Sequence, residues 1–114
     1  IICTGGTNIK DDIYRLNNIV HVVVGTPGRI YDLADKNVLD LSKCTFLALD
    51  EADKLLSQDF QQIVENIIYF LNEKRQIILL SATFPINVKG FKEKYLKNAI
   101  MKNLMEELTL IGLT

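Results

Sequence analysis

Long apolar runs, a surplus of basic charge and clusters of histidine or cysteine are all missing from this sequence. No apolar stretch approaches the roughly 18 to 20 residues that cross a bilayer, and no signal peptide is visible, so nothing here predicts a membrane partner. The 13 Lys and Arg residues face 14 Asp and Glu, a formal net charge of −1. No global basic field therefore draws in nucleic acid, and any such contact has to come from local geometry. His21 is the sole histidine, and the two cysteines, Cys3 and Cys44, lie inside apolar runs. That leaves no zinc-type ligand set and favours buried free thiols over a disulfide. Internal repeats and low-complexity segments are also lacking. What remains is 48% apolar and 24% charged over 114 residues, the make-up of a globular core and enough for one small domain or part of a larger one. The chain opens on Ile1 in a strand-like run and closes on an apolar run, so it reads as a piece of a longer polypeptide.

Short β-branched or apolar runs alternate with amphipathic segments, which predicts α/β layers. Strands are expected at residues 1–4, 20–24, 45–49 and 76–80, with a weaker one at 99–102. Most are continuous apolar runs, as expected for strands buried on both faces of a parallel sheet. The clearest helix covers 59–71, where Phe60, Ile63, Val64, Ile67, Ile68 and Leu71 share one face. Phe60, Phe70, Phe91 and Tyr95 fall at helical spacing and read as core. Asn8 is placed to cap a helix carrying Ile9, Ile13 and Leu16, with Asp11 and Asp12 in its first turn. Thr26-Pro27 and Pro85 mark two further helix starts. The order β-α-β-α-β-α-β-α-β predicts a doubly wound parallel sheet.

One strand runs directly into acid: Phe46-Leu47-Ala48-Leu49 is followed by Asp50-Glu51-Ala52-Asp53. Ligands of open α/β sheets collect at the carboxyl ends of strands, and carboxylates there can hold Mg²⁺ or orient an attacking water. Three acids within four residues repel one another and call for a cation or hydrogen-bond donors. A solvated helix start explains the acids alone equally well. The apolar strand ahead of them moves the balance toward a metal–nucleotide site. At Thr26-Pro27-Gly28-Arg29 a strand end meets a helix start, offering free N–H groups, a glycine that leaves room and a fork-shaped donor for phosphate. Gly5-Gly6 similarly permits close backbone approach. Either segment by itself reads more simply as an ordinary strand-to-helix turn. Lys89, Lys92, Lys94 and Lys97 read as a solvated helix face.

Together these segments resemble the DEAD-box RNA helicases. Asp50-Glu51-Ala52-Asp53 matches the motif that names the family. Gly5-Gly6 is similar to its glycine doublet, Thr26-Pro27-Gly28-Arg29 to its TPGR motif and Ser81-Ala82-Thr83 to its SAT motif, in order and each at a predicted strand end. The resemblance implies the C-terminal part of a RecA-like, P-loop NTPase sheet, with residues 1–102 belonging to the first motor domain. It implies that Asp50 binds Mg²⁺ through water and that Glu51 activates the water attacking the γ-phosphate of ATP. Asp53 would hydrogen-bond Ser81 and Thr83, coupling nucleotide state to domain closure. Gly5, Gly6, Thr26, Pro27, Gly28 and Arg29 would grip the backbone of single-stranded RNA, which positions without reading sequence.

No Gly-x-x-x-x-Gly-Lys-Ser/Thr phosphate loop occurs in these residues, and the family's second motor domain is absent too. The 114 residues alone are therefore expected to be inactive, to hold Mg²⁺-ATP only weakly and to leave an unpaired edge on the strand at 76–80. The segments 50–60 and 103–110 resemble a subgroup of translational repressors and decapping activators of cytoplasmic mRNA granules, in which 103–114 would begin the linker to the second motor domain. Richness in Ile, Asn and Lys suits an AT-rich genome, such as that of an apicomplexan parasite. Two functions fit the motifs equally: an RNA-dependent ATPase that remodels mRNA–protein complexes, and an ATP-dependent clamp or scaffold with little turnover.

Overall fold

The computed structural model describes residues 1–102. The segments 103–110 and 103–114, singled out above as subgroup signature and linker, lie outside the described residues. The elements are β1 (Ile2–Cys3), α1 (Ile9–Arg15), β2 (Val24–Gly25), α2 (Pro27–Asp35), β3 (Phe46–Leu49), α3 (Ala52–Leu55), α4 (Gln61–Phe70), β4 (Gln76–Leu79) and α5 (Ile86–Tyr95). Every paired strand is parallel, each pair being joined through helix, as the α/β reading requires.

The pairing differs from a single sheet. Among the described residues β1 pairs with β2, in register Ile2 to Val24 and Cys3 to Gly25, while β3 pairs separately with β4 from Phe46–Gln76 to Leu49–Leu79. Two expectations fail with it. Residues 99–102 form no strand: the Ala99 N–H turns back to the Leu96 carbonyl at 3.3 Å, and a strand exists only where a neighbour supplies the ladder. The strands are also covered on one face rather than two. Leu47, Leu49, Ile77 and Leu79 pack toward the helices, while Phe46, Ala48 and Ile78 stay exposed. No second covering layer lies on that face among the described residues, so the apolar runs read as doubly buried are open on one side. The strand expected at 20–24 shortens to its end, with Val22 exposed.

Helix starts follow their signals closely. The Asn8 side chain accepts the Lys10 N–H at 3.0 Å and opens α1, a bond whose removal costs about 1 kcal/mol. Thr26 occupies the N-cap of α2 with Pro27 in first position, although its hydroxyl makes no cap bond. Pro85 is the N-cap residue of α5 rather than its first turn. α4 begins two residues later than read, leaving Phe60 at its N-cap and 44% exposed. Its expected core role is thereby lost, because Phe60 precedes the periodicity that would turn it inward.

The core is one cluster between the strands and the helices. Leu33, Leu56, Val64, Ile68, Val88 and Phe91 are essentially sealed from solvent. α2 packs along α4, and α5 lies on α3; within α5 the Phe91 and Tyr95 rings meet at a tilt, 4.6 Å between centroids. Truncating a sealed side chain such as Phe91 to alanine costs about 3–5 kcal/mol. Cys3 and Cys44 are free thiols, and burial raises the pKa of the Cys3 thiol.

Candidate functional site

The parallel register of β3 and β4 brings two motifs side by side. β3 ends on Leu49 and delivers Asp50 and Glu51; β4 ends on Leu79 and delivers Ser81 and Thr83. Backbone bonds carry the alignment past the strands, Leu80 N–H to Leu49 carbonyl and Ala52 N–H to Leu80 carbonyl, each 2.9 Å. The Thr83 hydroxyl then donates to the Asp53 carboxylate at 2.7 Å. The Asp53 N–H donates to Ser81 Oγ at 3.2 Å, and Ser81 Oγ–H donates to the Thr83 carbonyl at 2.6 Å. Asp53, Ser81 and Thr83 therefore meet in a closed circuit. In it the Asp53 contact to Ser81 runs through its main chain and the contact to Thr83 through its carboxylate. The Thr83 hydroxyl holds the Asp53 carboxyl below the ordinary aspartate range against an opposing effect of burial.

Asp50 and Glu51 remain in solvent. One Asp50 oxygen accepts the Glu51 N–H at 2.9 Å, leaving the rest of the carboxylate outward. Glu51 adopts φ 52° and ψ 50°, a left-handed conformation that costs a non-glycine residue roughly 1 kcal/mol or more. Its carboxylate pairs with Lys54 Nζ at 2.9 Å, both side chains mostly exposed, and that bond raises the Lys54 pKa. Backbone strain concentrated on a strand-end carboxylate is the kind of outlier that points to a working residue.

The other strand pair positions the second group. β1 leads to Gly5 and Gly6, and β2 leads through Thr26 into α2. An open groove of about 530 Å³ is lined by Gly5, Thr26, Pro27, Gly28 and Arg29. Lys54, Leu55 and Phe60, from the segment that follows the acidic strand end, line it too, as does Asp32. Gly6 adjoins Gly5 but does not line it. A methyl group added at Gly5, Gly6 or Gly28 would meet nothing within 4 Å. Packing among the described residues thus gives no reason for these glycines, whereas close approach by a ligand does. The amide end of α2 opens here, a natural seat for an anion.

Arg29 is placed differently from a free phosphate donor. Its side chain is 10% exposed, with Nη1 on the Asp12 carboxylate at 2.6 Å and Nη2 on the Thr7 carbonyl at 2.7 Å. Arg15 holds the other Asp12 oxygen and also reaches the Ile2 carbonyl at 3.1 Å. Asp12, read as a first-turn acid, is fully buried. Burial pushes its carboxyl up, but hydrogen bonds from Arg29 and Arg15 outweigh that and hold it below the ordinary range. This clamp joins β1, Thr7 beside the glycine doublet, α1 and α2, and sequence reading missed it because Asp12 and Arg29 are 17 residues apart. Gly25 was missed as well: an added Cβ would lie 2.3 Å from the Cys3 carbonyl oxygen of the paired strand. Asn87, which donates to the Leu56 carbonyl at 2.6 Å and ties α5 to the acidic segment, carried no motif signal.

Comparison with known proteins agrees with the motif resemblance. A family described as DEAD/DEAH box helicase matches residues 1–91. A probable ATP-dependent RNA helicase, ddx6, of Dictyostelium discoideum is 63% identical over 111 residues, covering 97% of this chain and 26% of that protein. The ATP-dependent RNA helicase DHH1 of Kluyveromyces lactis is 56% identical over 114 residues, all of this chain and 22% of that protein. Among solved structures, a DEAD box protein from the hyperthermophile Methanococcus jannaschii superposes with a TM-score of 0.75 at 38% identity, over 82% of this chain and 26% of that one. A hypothetical ATP-dependent RNA helicase from Sulfolobus tokodaii gives 0.74 at 34%, over 85% and 29%. The chain spans about a quarter of the length of the curated relatives it matches.

Proposed function

This chain belongs to the DEAD/DEAH box helicase family, and we propose that residues 1–102 are the carboxylate-bearing half of the first motor domain of an ATP-dependent RNA helicase, with 103–114 beginning the linker to the second. The observation that carries this reading is the circuit of Asp53, Ser81 and Thr83, which fastens the acidic strand end to its neighbour.

The donor set suits a magnesium ion that keeps its water. Among the described residues no group of three or more His, Cys, Asp or Glu side chains converges on one point. Asp50 offers an outward carboxylate, and Mg²⁺ commonly binds through one or two carboxylates with the remaining positions filled by water and substrate phosphate. Asp50 would hold the ion through a water molecule. Mg²⁺-ATP, when bound, supplies the γ-phosphate to be cleaved. Glu51 presents its carboxylate to solvent beside Asp50 and would orient the attacking water and accept its proton, work that relies on positioning and charge. Asp53 would also belong to the nucleotide site, and through Ser81 and Thr83 would couple nucleotide state to domain closure.

Gly5, Gly6, Thr26, Pro27, Gly28 and Arg29 would hold the sugar-phosphate backbone of single-stranded RNA. Gly5, Gly28 and the α2 amide end would receive phosphate, while Arg29, which lines the groove but is engaged by Asp12 and Thr7, fixes its shape. Contacts of this kind are sequence-tolerant. Similarity to ddx6 and DHH1, together with the subgroup resemblance of 50–60 and 103–110, supports a role in translational repression or mRNA storage in the cytoplasm, alongside decapping or repressor proteins. RNA-stimulated ATP hydrolysis by the full-length protein carrying these residues tests the reading. Stimulation by unrelated single-stranded RNAs alike is expected; a rate indifferent to RNA would overturn it.

A further inference from the structure

Two cations line the groove among the described residues, Arg29 and Lys54, and the structure commits them very differently. Arg29 has both terminal nitrogens engaged, by a buried carboxylate and a main-chain carbonyl, and is 10% exposed. Turning it toward a ligand would leave the buried Asp12 carboxylate with Arg15 alone and one of its oxygens without its partner, which is costly. Lys54 is 76% exposed, and its partner is the Glu51 carboxylate at 2.9 Å. An exposed pair of this sort holds weakly, and an ammonium on a flexible four-carbon stem passes readily from one acceptor to another.

The position of Lys54 makes that exchange consequential. It lines the same groove as Gly5 and the start of α2, and three residues earlier the same helical turn begins at Glu51, held in its left-handed conformation. Asp32, the groove's own carboxylate, is paired with Lys36 at 3.0 Å. A phosphate seated at the amide end of α2 therefore meets one cation able to turn to it without breaking a buried bond, and that cation is holding Glu51.

We propose that Lys54 is the phosphate-contacting cation of the groove, and that an RNA phosphate draws it off Glu51 and frees that carboxylate for the attacking water. Lys54 is then a positioning residue that makes hydrolysis answer to RNA. The inference rests on the helicase reading above and specifies how its two sites communicate.

The test uses the full-length protein as wild type, Lys54→Gln and Lys54→Arg. Binding of a fluorescent oligouridylate is followed by anisotropy over a range of salt with a non-hydrolysable ATP analogue, and ATP turnover is measured with and without the oligonucleotide. Lys54→Gln is expected to flatten the dependence of log affinity on log salt by about 0.7, the loss of one single-strand phosphate contact. It is also expected to raise the RNA-free turnover several-fold, narrowing the stimulation ratio. Lys54→Arg should restore the steep salt dependence and the low RNA-free rate. A merely structural lysine would lower both rates and could not raise one. An unchanged salt slope, or an RNA-free rate that does not rise, overturns the role of Lys54 while wild-type stimulation leaves the helicase reading standing. Wild-type protein that neither binds oligouridylate nor responds to it overturns the helicase reading and this inference with it.

Discussion

The two strand pairs treat charge in opposite ways. Around β1 and β2 the charge at the centre is turned inward: Asp12 is sealed beneath the buried Arg29 and the half-exposed Arg15, and both arginines also bind main-chain carbonyls. Around β3 and β4 the ionised groups are turned outward: Asp50 and Glu51 sit in solvent, and Lys54 reaches Glu51 across an exposed gap. The first arrangement is rigid, because departure of Asp12 or Arg29 leaves a buried charge short of its partner. The second can be exchanged at little cost. On the proposed function, a surface that receives an RNA backbone would benefit from a fixed wall, whereas carboxylates that serve a metal, a water and a nucleotide in turn would need to change partners. One half would then supply a frame and the other movable chemistry.

The largest effect should come from breaking the frame. Asp12→Ala leaves the buried Arg29 without its carboxylate and beside the half-exposed Arg15, and is expected to lower the thermal midpoint by more than about 10 °C. Because the Asp12 carboxyl is held below its ordinary value in the folded state, its contribution is complete above the ordinary aspartate pKa and disappears as pH falls through the lowered one. Thermal melts from neutral to acid pH should therefore show wild type and variant converging at the acid end.

Next in size is a contrast between glycines of the same region. Gly25→Ala drives a methyl group into the Cys3 carbonyl at 2.3 Å and should cost about 1–3 kcal/mol by denaturant titration. Gly28→Ala meets nothing within 4 Å and lies in the first turn of α2, so the same titration should show stability unchanged or raised by less than about 1 kcal/mol. Its loss should appear in RNA affinity instead. Equal destabilisation by both would mean that the groove glycine serves packing after all.

The smallest effect concerns the exchangeable half. Thr83→Val removes the hydroxyl that holds the Asp53 carboxyl low. An NMR titration should find that carboxyl moved up toward the ordinary range, with little change in overall stability. No movement would place the cause of the shift elsewhere.

What could be read from the sequence was what short-range chemistry decides. Asn8 signals its cap because the bond spans two residues, and the acidic, TPGR and SAT segments could be placed at strand ends because the apolar run and its polar terminus are contiguous. The Asp12–Arg29 clamp was not legible, since a carboxylate in a first turn looks the same whether it faces water or an arginine from another helix. Gly25 carried no signal either, because its necessity comes from a neighbouring strand rather than from its own turn. Residues 99–102 have the composition of a strand, but pairing is a property of two segments. Phe60 kept the right spacing and lost the helix by one turn end. The left-handed backbone of Glu51 is invisible in any pattern of residue types.

The contrast between frame and chemistry rests on Glu51 being the residue that acts on water. Glu51→Gln keeps the size of the side chain and one acceptor while removing the charge, so it should leave the fold and the RNA groove intact. Measured in the full-length protein with saturating RNA, ATP turnover is expected to fall by about 100-fold or more, with oligouridylate affinity in the presence of a non-hydrolysable ATP analogue retained. A variant that turns over ATP at the wild-type rate would contradict the assignment of Glu51, and with it the division of labour between the two halves.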